Sequence, residues 1–210
     1  MKTVQILSLC MVIAVVSFLG FVVENVWLSV TKGFMDNRNM CLPFLLGYGL
    51  AIIAIYALFG IPADVLLFGK RLEIKSKLIS KMVYFLIVMV CVSVGEIMLG
   101  KFVELTCDFY WWDYSRLPLH ITRYTTIPTS LGFATMISLF MDYVFIPLQN
   151  RFMMWDYYRL EFMAKILMAL MIGDFVYNAY KMKKNGNVTT RWKIDTTETK
   201  GYKLLHHREM

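Results

Sequence analysis

Residues 80–115 read SKMVYFLIVMVCVSVGEIMLGKFVELTCDFYWWDYS, and their interpretation decides the fold. From Ser80 to Leu105 the chain stays apolar for longer than the roughly 20 residues that carry a helix across a hydrocarbon core of about 30 Å. Within this run Glu96, Gly100 and Glu104 recur every four residues, so one face of the helix carries two carboxylates separated by a glycine gap. The run ends in a polar, aromatic hinge, Phe109-Tyr110-Trp111-Trp112-Asp113-Tyr114-Ser115.

The rest of the sequence repeats this pattern. The 210 residues are 58% hydrophobic and 18% charged, with a mean hydropathy of +0.55, whereas soluble domains are roughly 45 to 50% apolar. Comparable apolar runs extend from Val4 to Val30, Pro43 to Phe68, Ile127 to Leu148 and Glu161 to Tyr180. The fold expected is all-α, a polytopic transmembrane helical bundle of about five spanning helices. Residues 1–180 form the membrane domain, and residues 181–210 a polar, basic, mobile tail in which His206 and His207 are solvated. The first run is too long for the apolar region of a cleaved leader and reads as a retained span. Pro43 falls in the first turn of the second span, Pro62 kinks that span or ends it early, and Pro147 closes the fourth. Gly47 with Ala51, Ser130 with Ala134 and Ser138, and Ala169 with Gly173 mark expected faces of close helix contact.

The net charge of +7 has no separate basic face, which argues for headgroup contact over nucleic-acid binding. Lys and Arg divide almost evenly between the two ends of the expected bundle, leaving its orientation open. Cys10, Cys41, Cys91 and Cys107 form no C-x-x-C pair, so neither a metal site nor a disulfide framework is indicated, and no cofactor is called for.

A faint internal repeat accompanies the spans. Gly20-Phe21-Val22-Val23-Glu24 and Gly100-Lys101-Phe102-Val103-Glu104 both read G-x-x-V-E. Each is followed by an arginine, Arg38 or Arg123, then a proline, Pro43 or Pro128, then a glycine, Gly47 or Gly132. In a five-span topology Glu24, Glu104 and Asp174 fall in the same half of the membrane. Intramembrane carboxylates need partners or water, at a cost of about 2.5 to 3.5 kcal/mol when neither is present. Glu24, Glu96, Glu104 and Asp174 are therefore candidates to line a polar cavity for an ion or substrate. The structural alternative pairs Glu104 with Lys101 and lets Arg38 or Arg123 cap the cluster. Asp113 could likewise do no more than close a turn through the amides that follow it.

The hinge carries a resemblance. Trp112-Asp113-Tyr114-Ser115, preceded by Glu96, Gly100 and Glu104 and followed by Pro118, Arg123 and Leu131-Gly132, is similar to the putative ABC-transporter permease family (type IV, CmpB-like) of bacterial integral membrane proteins. Phe18-Leu19-Gly20, Glu24, Asn37-Arg38, Pro43, Gly47-Tyr48-Gly49 and Asp174 match as well, so the resemblance covers about residues 17 to 178. The chain departs from it at Asn39, where the family carries glycine, and at His120, where asparagine is common. The resemblance implies a multi-pass protein of the bacterial plasma membrane, a permease-like transport component. Its motif and vestibule residues would be Asn37, Arg38, Trp112, Asp113, Tyr114, Ser115 and Arg123. The chain has no G-x-x-x-x-G-K-[ST] loop, so ATP-driven action requires a separate ATPase subunit; few spans per chain suggest a homo-oligomer. The alternatives are a membrane-embedded enzyme acting on lipid or envelope intermediates, with Asp113 or a glutamate as base, and an accessory subunit of a membrane complex.

Overall fold

Long apolar runs without internal breakers become long helices. The computed structural model describes residues 2–196, and its elements are α1 (Lys2–Lys32), β1 (Phe34–Asp36), α2 (Leu46–Phe59), β2 (Gly60–Ile61), β3 (Asp64–Leu67), β4 (Lys70–Arg71), α3 (Lys77–Cys107), β5 (His120–Thr122), β6 (Thr125–Thr126), α4 (Ile127–Tyr143), α5 (Phe145–Met153), α6 (Tyr157–Asn185) and β7 (Lys193–Asp195). The protein is helical, with short antiparallel strand pairs at the two ends of the bundle.

Proline and glycine placement explains where the helices depart from the apolar runs. The second run gives a helix of only 14 residues. Gly60 ends it at φ +69°, and the chain turns through β2, β3 and β4, with Pro62 lying in the turn between β2 and β3. Pro43 precedes α2 instead of sitting in its first turn, because the amides of Cys41 and Leu42 are taken by Asp174 and that of Leu45 by the Ser17 carbonyl. In the fourth run the helix bends by 46° between α4 and α5. Pro147 has no N–H for the Tyr143 carbonyl and its ring crowds that group, so the break falls at Val144, one turn before the proline. Among the described residues, two helices, α1 and α3, are long and apolar enough to cross a membrane alone, and α4 with α5 makes a third if the bent pair is one passage. That is fewer than the five expected from apolar runs: α2 stops short, and α6 carries Arg159, Glu161, Lys165 and Asp174.

Helix α1 is the centre of the bundle, with α2, α5 and α6 against it; half of its most apolar window is buried, against 11% for α3. The core joins Met11, Val12 and Val16 of α1 to Ile52 and Ile55 of α2, Tyr84 and Val88 of α3, Ala134 and Met141 of α4 and Leu160 and Ala164 of α6. Close approach of α1 and α2 occurs at Gly49, where a Cβ would lie 2.5 Å from the Ile13 carbonyl oxygen, whereas Gly47 and Gly173 face open space. Ser130 and Ala134 are buried as expected of a packing face.

The helices leave two distinct ends. One holds β2 to β4, where the Ser80 hydroxyl donates to the Pro62 carbonyl and Lys81 pairs with Asp142 at 2.6 Å. The other holds the C-terminal ends of α1, α3 and α6. Helix α6 runs past residue 180 to Asn185, and Gly186, at φ +62°, caps it. Of the segment expected to form a mobile tail, the part through residue 196 returns to this end: β7 pairs with β1, and Asn37 and Asn39 bond the backbone of Thr189. His206 and His207 lie outside the described residues.

Candidate functional site

The C-terminal ends of α1, α3 and α6 carry Glu24, Glu104 and Asp174, with Arg38 and the hinge beside them. Glu24 sits two turns before the end of α1. Its Oε2 lies 3.0 Å from Arg38 Nη2, and its Oε1 accepts a hydrogen bond from the Tyr48 hydroxyl. Arg38 is held at φ +47° and Asn39 at φ +65°, the left-handed region open to glycine and asparagine. Asparagine can therefore stand where the resemblance expects glycine. The turn is fixed by Asn37, whose amide donates to the Met40 and Thr189 carbonyls while its oxygen accepts the Arg191 N–H. Asp36 also faces Arg38, at 3.7 Å.

Glu104 repeats this arrangement on α3. Lys101 Nζ lies 2.8 Å from its Oε2, and the Tyr124 hydroxyl donates to the same oxygen. In both places a glycine one turn before the glutamate makes room for the tyrosine. A Cβ at Gly20 would lie 2.5 Å from Tyr48 Cγ, and one at Gly100 would lie 2.2 Å from Tyr124 Cδ1. The G-x-x-V-E repeat is thus a repeated contact: ring on glycine, hydroxyl on glutamate. Arg123 does not pair with Glu104; its guanidinium lies 4.3 Å from the centre of the Tyr110 ring.

Asp174 on α6 accepts the backbone amides of Cys41 and Leu42, each at 3.0 Å, and the Asn178 amide at 2.7 Å. Asn178, fully buried, passes the connection on by accepting from Arg191 Nη2 at 2.8 Å. Asp174 thereby fixes the segment that leads into α2.

The hinge closes over these groups. Trp112 Nε1 donates to the Tyr124 carbonyl at 2.8 Å, and the Tyr114 N–H to the Arg123 carbonyl at 2.7 Å. Asp113 Oδ1 accepts the Ser115 N–H at 2.8 Å. The Asp113 carboxyl is held below the ordinary range by bonds from Ser115, so the aspartate closes a local turn. Tyr114 points inward. Its phenol is pushed up to about 12 by burial and by the negative charges of Glu96 and Glu24, with Arg38 opposing them. Tyr114 is thus within electrostatic reach of Glu24 on α1 and of Glu96 on α3.

Glu96, two turns deeper on α3 than Glu104, accepts from Thr125 Oγ1. Thr125 is 3.0 Å from Ser130 Oγ, and Ser130 is 2.8 Å from Ser93 Oγ. Among the described residues, no group of three or more His, Cys, Asp or Glu side chains is placed to hold a metal ion. The sequence pointed to the four carboxylates, to Arg38 and to the hinge; it named Tyr48 only within the matching Gly47-Tyr48-Gly49, and it did not point to Tyr124 or Thr125. A signal for the tyrosines exists in the helical glycines: a glycine one turn before a half-buried glutamate leaves a slot that an aromatic side chain can fill.

The family profile described as putative ABC-transporter type IV matches residues 11–179. The chain belongs to that family. The match takes in the polar end from Gly20 to Asn178 but stops before the returning segment with Thr189, Arg191 and β7. No curated protein and no solved structure matches the chain. The family description suggests an ABC-transporter component, and the apolar helices are consistent with a membrane protein.

Proposed function

We propose that this member of the putative ABC-transporter type IV family is a permease-like transport component, with a polar cavity between the α1–α2 and α3–α4 pairs. The observation that carries the reading is that Glu24, bound to Arg38 in one pair, and Glu96 of the other pair both lie within electrostatic reach of Tyr114 of the hinge. Charged side chains drawn together inside an apolar bundle are costly unless they serve an ion, a polar solute or a structural pairing. Here Arg38 already balances Glu24, whereas Glu96 faces the gap without a cation among its hydrogen-bond partners. The cavity is carboxylate-lined, and Tyr114 and Trp112 form its lip.

In this reading the chain makes five passages of a bacterial plasma membrane. Helix α2 is completed by β2 and β3, α4 and α5 make one bent passage, and α6 makes the last. The energy comes from a separate ATPase subunit, and the outward apolar face of α3 is covered by lipid or by a second copy. Of the two bases considered for the enzyme alternative, Asp113 or a glutamate, Asp113 is engaged by the Ser115 amide.

Purification of the full chain from its native membrane in mild detergent, followed by measurement of ATP hydrolysis in the eluate, tests this reading. It expects hydrolysis that copurifies with the wild-type chain and changes in rate when Glu96→Gln replaces it. An eluate without hydrolysis, or hydrolysis indifferent to the chain's presence, contradicts it.

A further inference from the structure

The four carboxylates of the polar end are not equivalent. Glu24 has Arg38 at 3.0 Å, Glu104 has Lys101 at 2.8 Å, and Asp174 has two backbone amides and the Asn178 amide. Each of these sets includes a cation or an amide that can only donate, and the hydroxyls of Tyr48 and Tyr124 are added to Glu24 and Glu104. Glu96 differs. Its hydrogen-bond partner is the hydroxyl of Thr125, followed by those of Ser130 and Ser93. Thr125 and Ser130 are fully buried.

A hydroxyl donates one hydrogen and accepts others, so a row of hydroxyls can run in either direction. With Glu96 ionised, Ser93 donates to Ser130, Ser130 to Thr125 and Thr125 to the carboxylate. With Glu96 protonated, the carboxylic acid donates to Thr125, Thr125 to Ser130 and Ser130 to Ser93. Ser93 then needs another acceptor for its own hydrogen. The Met89 carbonyl supplies it, 3.0 Å from Ser93 Oγ, while Ser130 Oγ lies at 2.8 Å. One hydrogen cannot serve both acceptors at once, and the two contacts are the two ends of the reversal. Neither protonation state leaves a buried hydroxyl unpaired, which would otherwise cost about 1 to 3 kcal/mol.

We propose that Glu96 is a proton-exchanging group, whose uptake and release of one proton is accommodated by reversal of the Thr125–Ser130–Ser93 hydroxyl row. The proton comes from water at the mouth beneath Tyr114 and bonds to a Glu96 carboxylate oxygen; the hydroxyls only rotate, and no heavy-atom bond breaks. The charged and titratable groups that face Glu96 are Glu24 of α1, with Arg38 and Tyr48 bound to it, and Tyr114 of the hinge. Glu104 and Lys101 follow on its own helix. The proton is thereby named as the coupled ion of the polar site, and the inference rests on the reading of that site as a transport cavity.

Infrared difference spectra of the full chain in lipid nanodiscs, titrated between about pH 5 and about pH 9, test it without any transport assay. The expected result is a protonated-carboxyl band that grows as pH falls, is absent in Glu96→Gln, and persists in Thr125→Val to proton concentrations about tenfold lower, since the lost donor favoured the ionised form. Ser130→Ala, which cuts the row one step further away, should move the band in the same sense by less. If Glu96→Gln removes no titrating band, or if Thr125→Val and Ser130→Ala both titrate as wild type while folded, the proposal is overturned. A titrating Glu96 in a chain that copurifies with no ATPase would sustain the proton site and discard the transport reading.

Discussion

The α1–α2 half and the α3–α4 half use the same contact in different settings. In each, a tyrosine lies on a helical glycine and bonds the glutamate one turn later: Tyr48 on Gly20 and Glu24, Tyr124 on Gly100 and Glu104. In the first half the balancing cation, Arg38, comes from a connection 14 residues away, fixed by Asn37 and by the returning chain around Thr189 and Arg191. In the second half the cation is Lys101, three residues away on the same helix and 57% exposed. The first half is built as a rigid wall. The second has a looser latch, and it adds Glu96 with its hydroxyl row at a depth where the repeat places Val16 in the first half. A duplicated motif can thus supply one half for position and the other for chemistry.

The comparison breaks most visibly at the glycines. Gly20→Ala and Gly100→Ala each push a Cβ into a tyrosine ring and should each cost about 3 kcal/mol, read as loss of stability in detergent unfolding. A mild effect at either would show that the two contacts are not equivalent. The cations should separate the halves. Arg38→Ala strips a pair that is about a quarter exposed and should cost about 2 kcal/mol, less than a fully buried pair. Lys101→Ala should cost about 0.5 kcal/mol or less, as expected of an exposed neighbour pair on a helix. Equal costs would remove the distinction between wall and latch. At Asn39 the backbone alone is probed: Asn39→Ala and Asn39→Gly both lose the Thr189 bond, so alanine should be worse by about 1 kcal/mol because of the left-handed φ.

The smallest effect belongs to the hinge. Asp113 is lowered by its bonds from Ser115, so its turn contributes stability above the ordinary Asp value of about 4, and that contribution is lost as pH falls through the lower folded value. Tryptophan emission from Trp111 and Trp112 should follow this loss in the wild type. Asp113→Asn should flatten that acid-side change, and an unchanged profile would show that the turn does not depend on the charge.

Much of this architecture was legible in the sequence because it follows from local chemistry. Apolar runs gave the long helices and the G-x-x-V-E pair the two halves; α2 ends early, as expected near Pro62, but at Gly60. Lys165 after Glu161 gave an i, i+4 pair, found at 2.6 Å. Other features depend on partners far along the chain. Pro147 reads as a terminus, but the helix resumes after a bend because a proline within the first turn of α5 forfeits little. The segment from residue 181 reads as a mobile tail, yet Asn37 and Asn39 bond the backbone of Thr189 within it, about 150 residues away in sequence. The roles of Tyr48 and Tyr124 depend on rings that lie against glycines of α1 and α3, which the sequence does not show. The number of passages is a further case, since an apolar run counts residues but does not show where a helix stops.

The account stands or falls on whether Arg38, the hinge and the end of α6 share one face of the membrane. Single cysteines at Arg38, Ser115 and Arg191, and at Lys70 and Arg151, introduced after replacement of Cys10, Cys41, Cys91 and Cys107, can be labelled with an impermeant maleimide in sealed vesicles of one orientation. The first three should react from one side and the last two from the other; labelling of Arg38→Cys and Ser115→Cys from opposite sides would contradict the shared polar end.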